Sequence, residues 1–210
     1  MKTAMIFGAA GGIGSAIGHY LKSKGMLVVA GVRHIESGLN FSDLVIQGDF
    51  SREADAMRMI REAAEEIDQI DLWVYAAGDI GYAKLGEGNS AGWEQIFSAN
   101  ITGAHYTLSA SFPLLAEDAH VMFIGAYTDR LIMPGLAAYT ASKAALAAYS
   151  AIVEKELRGK KVVLIRPAAV DTPFWKKVPF KLPTNAMLPE AVAEKVHAAY
   201  MQGLTGLVDL

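Results

Sequence analysis

Short apolar runs alternate along the chain with longer stretches in which apolar residues recur every three or four positions. Segments such as VVAG, LWVYAA, VMFIGA and VVLIR are almost continuously apolar, as strands covered on both faces should be. Strands are predicted over 4–7, 27–30, 44–47, 72–76, 121–124 and 162–165, and helices over 13–24, 53–67, 93–115 and 138–157. A further helix over 189–202 precedes a seventh strand at 206–209. Strand and helix alternate from end to end, which predicts an α/β fold: a doubly wound parallel sheet of six to seven strands with helices on both faces. Ligands on such sheets sit beyond the carboxyl ends of the strands.

With 210 residues, the chain is long enough for one well-packed core and short for two, so a single domain over 1–210 is expected. Five of the seven prolines fall in 167–189, which marks about 173–189 as a substrate-covering loop. A net charge of −3 gives no electrostatic reason to expect nucleic acid or an anionic membrane surface. The absence of cysteine excludes disulfides, thiolate metal sites and a thiol nucleophile; no metal is expected. Residues 1–7 do not read as a secretory signal, and no apolar run approaches the roughly 20 residues of a membrane span. A cytoplasmic protein is the default expectation.

Two motifs carry chemistry. Gly8, Gly12 and Gly14 follow the first strand in a GxxxGxG spacing, with a helix beginning near Ile13. Glycines there admit positive φ and let the backbone approach a pyrophosphate, whose charge the helix N-terminus favours; a purely structural βα turn is the alternative. Far downstream, Tyr139 and Lys143 lie four residues apart on one helical face, in YTASK. A free phenol titrates near 10, too high for proton exchange at neutrality, and an ammonium one turn away stabilises the phenolate. Tyr139 as a packing aromatic is the competing reading.

The order of these motifs resembles the short-chain dehydrogenase/reductase family, over nearly the whole chain. The resemblance implies a Rossmann-type NAD(P)-binding fold in which Tyr139 exchanges a proton with a carbonyl or alcohol oxygen. It implies that Lys143 tunes Tyr139 and binds the nicotinamide ribose, and that Asn100, in SANITGA, kinks its helix and holds a water leading protons toward Lys143. Asp49 matches the residue that bonds the adenine amino group, its alternative being a turn or N-cap role ahead of Ser51. Tyr75, Ala76, Ala77 and Gly78 stand where the family has NNAG, so Ala77 and Gly78 keep the small surface against the adenosine while both amides are lost. RPAAVDT resembles the PGxxxT segment, which puts Pro167, Val170 and Thr172 at the cofactor, Val170 beside the carboxamide and Thr172 toward the phosphates. Phe7 replaces the Thr that precedes the first glycine.

After the second strand, where the ribose 2′ position lies, Val32 and Arg33 stand in place of an acid. A guanidinium pairs with a 2′-phosphate, so NADP(H) is favoured over NAD(H); a solvated Arg33 is the alternative. The departure that bears most on activity is Ala126, thirteen positions before Tyr139, where the family carries a catalytic Ser. Tyr127 and Thr128 are the nearest hydroxyls that could replace it. Met133, Phe174, Trp175 and Leu182 are expected to line an apolar pocket. The reading is an NADP-preferring oxidoreductase for a small carbonyl or secondary alcohol, assembled as a homodimer or homotetramer through its long helices. The alternative is a non-catalytic NADP-binding sensor or partner-binding protein on the same fold.

Overall fold

In the computed structural model, which describes residues 1–35 and 38–210, the apolar runs become seven strands: β1 (Thr3–Phe7), β2 (Leu27–Val32), β3 (Leu44–Gln47), β4 (Ile70–Tyr75), β5 (Leu115–Ile124), β6 (Lys161–Arg166) and β7 (Gly206–Asp209). Their order in the sheet is β3-β2-β1-β4-β5-β6-β7, and every pairing is parallel. The chain starts in the middle and winds first to one edge, then to the other. This reversal beside β1 opens the crevice in which ligands of such sheets bind.

The side-chain alternation along β1 shows why both sheet faces are apolar. Met5 and Phe7 enter one core with Trp73, Tyr75, Phe123 and Leu164. Ala4 and Ile6 enter the other, with Val28, Val74, Met122 and Ile165. The second core is closed by α1 (Gly12–Ser23) and α6 (Pro189–Gln202), which pack against each other, and the first by α2 (Glu53–Ala64) with the helices after β4. All of the β1 and β4 side chains are buried.

The structure corrects one long element. The helix expected over 93–115 is α3 (Ser90–Phe97), a wider π-helical turn (Ser98–Thr102), α4 (Gly103–Ser111) and a 3-10 turn (Phe112–Leu114) that delivers the chain into β5. Pro113 lies in that last turn, where it ends the α-helical ladder. β5 accordingly begins at Leu115 instead of 121, with its register against β4 broken between Ile70 and Leu72. Smaller differences are at ends: β2 runs on to Val32, β4 starts at Ile70, and α2 stops at Ala64. α5 (Ala137–Glu156) carries Tyr139 and Lys143 in its first two turns. Among the described residues no helix is long and apolar enough to cross a membrane, and no group of three or more His, Asp or Glu is placed to hold a metal ion.

Candidate active site

Beyond Phe7 the chain turns at Gly8, whose φ is +84°, and the amides of Gly8 and Ala9 both donate to the Gly31 carbonyl, at 3.0 and 3.2 Å. Each motif glycine permits a different close approach. A Cβ on Gly8 would lie 2.5 Å from the Ala77 nitrogen, one on Gly12 2.7 Å from Cγ2 of Thr172, and one on Gly14 2.2 Å from the Gly8 carbonyl oxygen. The loop after β1, the loop after β4 and the segment after β6 therefore meet at one point. Gly12, Ile13 and Gly14 open α1, whose first turn has no acidic residue and whose first N–H groups lack intrahelical acceptors. That cradle fits a dinucleotide pyrophosphate.

Val32 is buried at the end of β2, and Arg33 is the first exposed residue past it, its carbonyl accepting from the Gln47 amide at 3.2 Å. Asp49 has the turn role: Oδ1 accepts from both the N–H and the hydroxyl of Ser51, at 3.0 and 2.7 Å. Burial pushes its carboxyl up, but the Ser51 hydrogen bonds and the charges of Arg33 and Arg52 outweigh this and hold it below the usual carboxylate range.

At the end of β4 the lost NNAG amide has a substitute. Tyr75 is fully buried and its hydroxyl donates to the Ala99 carbonyl at 2.7 Å, bracing the sheet against the π-helical turn. Its ring joins Phe7, Phe50 and Trp73, which accounts for the apolar Phe7 where the family has Thr. One residue beyond Ala99, Asn100 is fully buried and clamps a single residue's backbone: Oδ1 accepts from the Asp79 N–H at 2.9 Å, and Nδ2 donates to the Asp79 carbonyl at 2.8 Å. Nδ2 also donates to Ser142 Oγ at 2.8 Å, and Ser142 donates to the Tyr139 carbonyl. Asn100 lies within the π-helical turn, and its side chain ties the β4 loop to the first turn of α5.

Tyr139 and Lys143 are both buried, at 8% and 6% exposure, and Lys143 Nζ donates to the Ile124 carbonyl at 3.0 Å. A Cβ on Gly78 would sit 3.5 Å from that Nζ and 2.7 Å from Asn100 Oδ1, so Gly78 allows these groups to converge. Burial alone acts on both titrating groups: it pushes the Tyr139 phenol up and the Lys143 ammonium down to about 8. This reverses the expected direction for the phenol, because desolvation of the phenolate dominates in the free protein.

Ala126 follows Gly125, whose amide donates to the Ile165 carbonyl near the carboxyl end of β6 at 2.7 Å. The guanidiniums of Arg130 and Arg166 lie over the Tyr127 ring, at 5.2 and 5.1 Å, and Arg166 is held by a two-pronged bridge to Asp209. Thr128 opens a 3-10 turn and its carbonyl accepts from Leu131. Past β6, Pro167 and Val170 are buried, and the Val170 carbonyl accepts from the Trp175 indole at 2.8 Å. Phe174 lies against the Tyr139 ring, with centroids 5.9 Å apart, whereas Trp175 packs the loop itself and Met133 is half exposed. A cavity of about 690 Å³ lies on the outer flank of the glycine loop, between α1 and the start of α6, away from Tyr139 and Lys143.

The site also contains residues that the sequence motifs do not mark. Asp79 is buried and binds the Gln95 amide and the Lys177 ammonium, each at 2.6 Å. Asp79 directly follows the AAG segment, which is a usable signal; Lys177, in a loop with no periodicity, offers none.

A parallel sheet with a glycine cradle and a buried Tyr-Lys pair at the carboxyl ends of its strands defines a nucleotide-dependent oxidoreductase. The short chain dehydrogenase family model matches residues 2–182, and the chain belongs to that family of enzymes. It is 30% identical over 189 residues to an uncharacterized oxidoreductase of Staphylococcus epidermidis, covering 85% of this chain and 82% of the relative. A Staphylococcus saprophyticus oxidoreductase is 30% identical over 188 residues, covering 82% and 80%. Among solved structures, the 3-ketoacyl-(acyl-carrier-protein) reductase of Brucella melitensis complexed with NADH superposes with a TM-score of 0.90 at 22% identity, covering 100% of this chain and 96% of the other. The alcohol dehydrogenase of Thermococcus sibiricus, complexed with 5-hydroxy-NADP, gives 0.88 at 23%, with the same coverage.

Proposed function

We propose that the chain transfers a hydride between NADP(H), in preference to NAD(H), and a small carbonyl compound or secondary alcohol bearing an apolar or aromatic substituent. The observation that carries this reading is the convergence of Lys143 and the Asn100 clamp near Gly78, beside the glycine cradle, with the buried Tyr139 one turn before Lys143 on α5. The bound cofactor supplies the hydride. Tyr139, kept protonated by burial, gives its proton to the carbonyl oxygen; Lys143 anchors the ribose and supports the phenolate that forms. Asn100 uses both Nδ2 hydrogens in holding Asp79 and Ser142, so its side chain positions α5, and a water on its backbone would pass the proton. With Ala126 in place of Ser, Tyr139 is the sole side-chain donor to the substrate oxygen, and turnover is slow.

NADP(H) is favoured because Arg33 is exposed where an acid would reject a 2′-phosphate; structural neighbours bind both cofactors, so the preference rests on this residue. The apolar substituent follows from Phe174 on the Tyr139 ring. Trp93, Phe112 and Ile152, exposed on α3, beside α4 and on α5, support pairing of copies into a dimer or tetramer. The commitment of Tyr127 to Arg130 and Arg166 favours the second reading, a non-catalytic NADP-binding protein. NADPH consumption against a panel of aldehydes, ketones and quinones, with Tyr139→Phe beside the parent, decides between them. Turnover lost in the Phe variant supports the reductase; bound NADPH without turnover supports the binding protein.

A further inference from the structure

The segment after β6 forms a loop with a fastened base. The Met187 amide donates to the Ala169 carbonyl at 2.7 Å and the Asp171 amide to the Met187 carbonyl at 2.9 Å, so Val170 and Met187 pair as a short parallel bridge. Between these ends the loop crosses the mouth of the site and touches it at three places. Phe174 meets Tyr139, Phe180 meets Tyr82 at 5.7 Å, and Lys177 Nζ lies 2.6 Å from Asp79 Oδ1. Two of these contacts are apolar and one is ionic.

The ionic contact is unequal. The Asp79 side chain is 9% exposed and the Lys177 side chain 53%. A buried carboxylate, already held by Gln95 on Oδ2 and the Ile80 N–H on Oδ1, receives its cation from a solvated, movable arm. Asp79 is also the residue whose backbone Asn100 grips on both sides, and Asn100 reaches Tyr139 through Ser142. The Asp79 carboxylate thus anchors the loop, while its backbone is tied through Asn100 and Ser142 to the main-chain carbonyl of Tyr139.

We propose that Lys177 is a positioning residue: its ion pair with Asp79 latches the 171–187 loop over the substrate. The kinetic consequence rests on the reductase reading; the latch itself does not. Lys176 and Lys181 are in the same loop, but among the described residues only Lys177 bridges to Asp79. An exposed-to-buried pair of this kind shifts a local equilibrium by about fivefold and weakens with salt. Apolar contacts alone would not carry that salt dependence.

The test uses the full chain. Limited chymotrypsin digestion reads loop opening at Phe174, Trp175 and Phe180, none of which is altered in Lys177→Gln, Lys177→Arg or Asp79→Asn. Lys177→Gln and Asp79→Asn are each expected to speed cleavage about fivefold, with no further gain in the double variant, while Lys177→Arg restores the parent rate. Salt at about 0.5 M should speed the parent and leave Lys177→Gln unchanged. With a carbonyl substrate in hand, Lys177→Gln should raise its KM about fivefold with kcat within about twofold and KM for NADPH unmoved. Equal cleavage of parent and Lys177→Gln, a gain that Arg does not rescue, or a matching fall in global melting temperature would overturn the latch. Absence of turnover in the parent would overturn the reductase reading and leave the digestion result to decide the latch alone.

Discussion

Replacing Tyr75 by Phe removes one oxygen and keeps the ring among Phe7, Phe50 and Trp73. What is lost is the 2.7 Å bond to the Ala99 carbonyl, wholly buried, in the turn that holds Asn100. Burial pushes the phenol far up, so it remains a donor at every working pH. An intramolecular hydrogen bond contributes roughly 1 kcal/mol net, and a buried carbonyl left without a partner costs about 1–3 kcal/mol. A loss of about 2 kcal/mol follows, and for a chain of this length each kcal/mol moves the melting temperature by about 2–4 °C, so a fall of about 4–8 °C is expected. Circular dichroism melts of parent and variant measure it. A second readout follows from position: a loosened π-helical turn lets the Asn100 clamp drift, which should lower kcat severalfold while cofactor affinity holds. A melting temperature within about 1 °C of the parent would refute the bracing role of the hydroxyl.

Three further outcomes are expected. Arg33→Asp should reverse the cofactor preference, weakening NADPH by about tenfold or more and improving NADH, as read by KM for each. Ala126→Ser should raise kcat by at least about tenfold, since one oxyanion donor is typically worth two to three orders of magnitude; no gain would mean that position 126 does not face the substrate oxygen. His120 is buried, both ring nitrogens lack a hydrogen-bond partner among the described residues, and burial pushes it down to about 4, with the Leu204 backbone near but outside bonding geometry. Because the unfolded histidine titrates near 6.5, the unfolded chain binds the extra proton, so stability is full above that pH and is lost as pH falls through 4. His120→Phe should flatten urea-derived stability between pH 7 and 4.5 by about 2–3 kcal/mol relative to the parent.

Elements whose signal is local are legible in the amino-acid sequence alone. β3 is found at 44–47 as expected, and the strand runs stand out because both faces of the sheet are covered. The 93–115 segment shows the limit. Its apolar periodicity is helical throughout, but an inserted residue in a π-helical turn leaves no mark on periodicity, and Pro113, which does mark the end, is overridden by the pattern around it. In the site, Gly8, Gly12, Gly14, Tyr139 and Lys143 are legible because their chemistry is written at short spacing. Tyr75 with Ala99 and Lys177 with Asp79 are not: their partners are 24 and 98 positions apart, and only the order of strands brings them together.

Lys143 shows how the site acts against the fold. Burial lowers it from 10.5 to about 8, which corresponds to a cost on the order of 3 kcal/mol for keeping an ammonium out of water near neutral pH. The sign is fixed by the proton count. Between pH 8 and 10.5 the unfolded chain holds the proton that the folded chain has released, so the parent gains stability as pH rises through that window. Lys143→Met keeps the length of the side chain and discards the charge, but it also leaves the Ile124 carbonyl without its donor, at a cost of about 1–2 kcal/mol. A net gain of about 1–2 kcal/mol remains, or roughly 2–8 °C in melting temperature, together with loss of the high-pH slope. Turnover should fall by at least about two orders of magnitude in the same protein, because a purely structural lysine would not couple greater stability to lost activity. A lower melting temperature in Lys143→Met would mean that the ammonium is held for packing and its hydrogen bond, and the catalytic reading of this residue would fail.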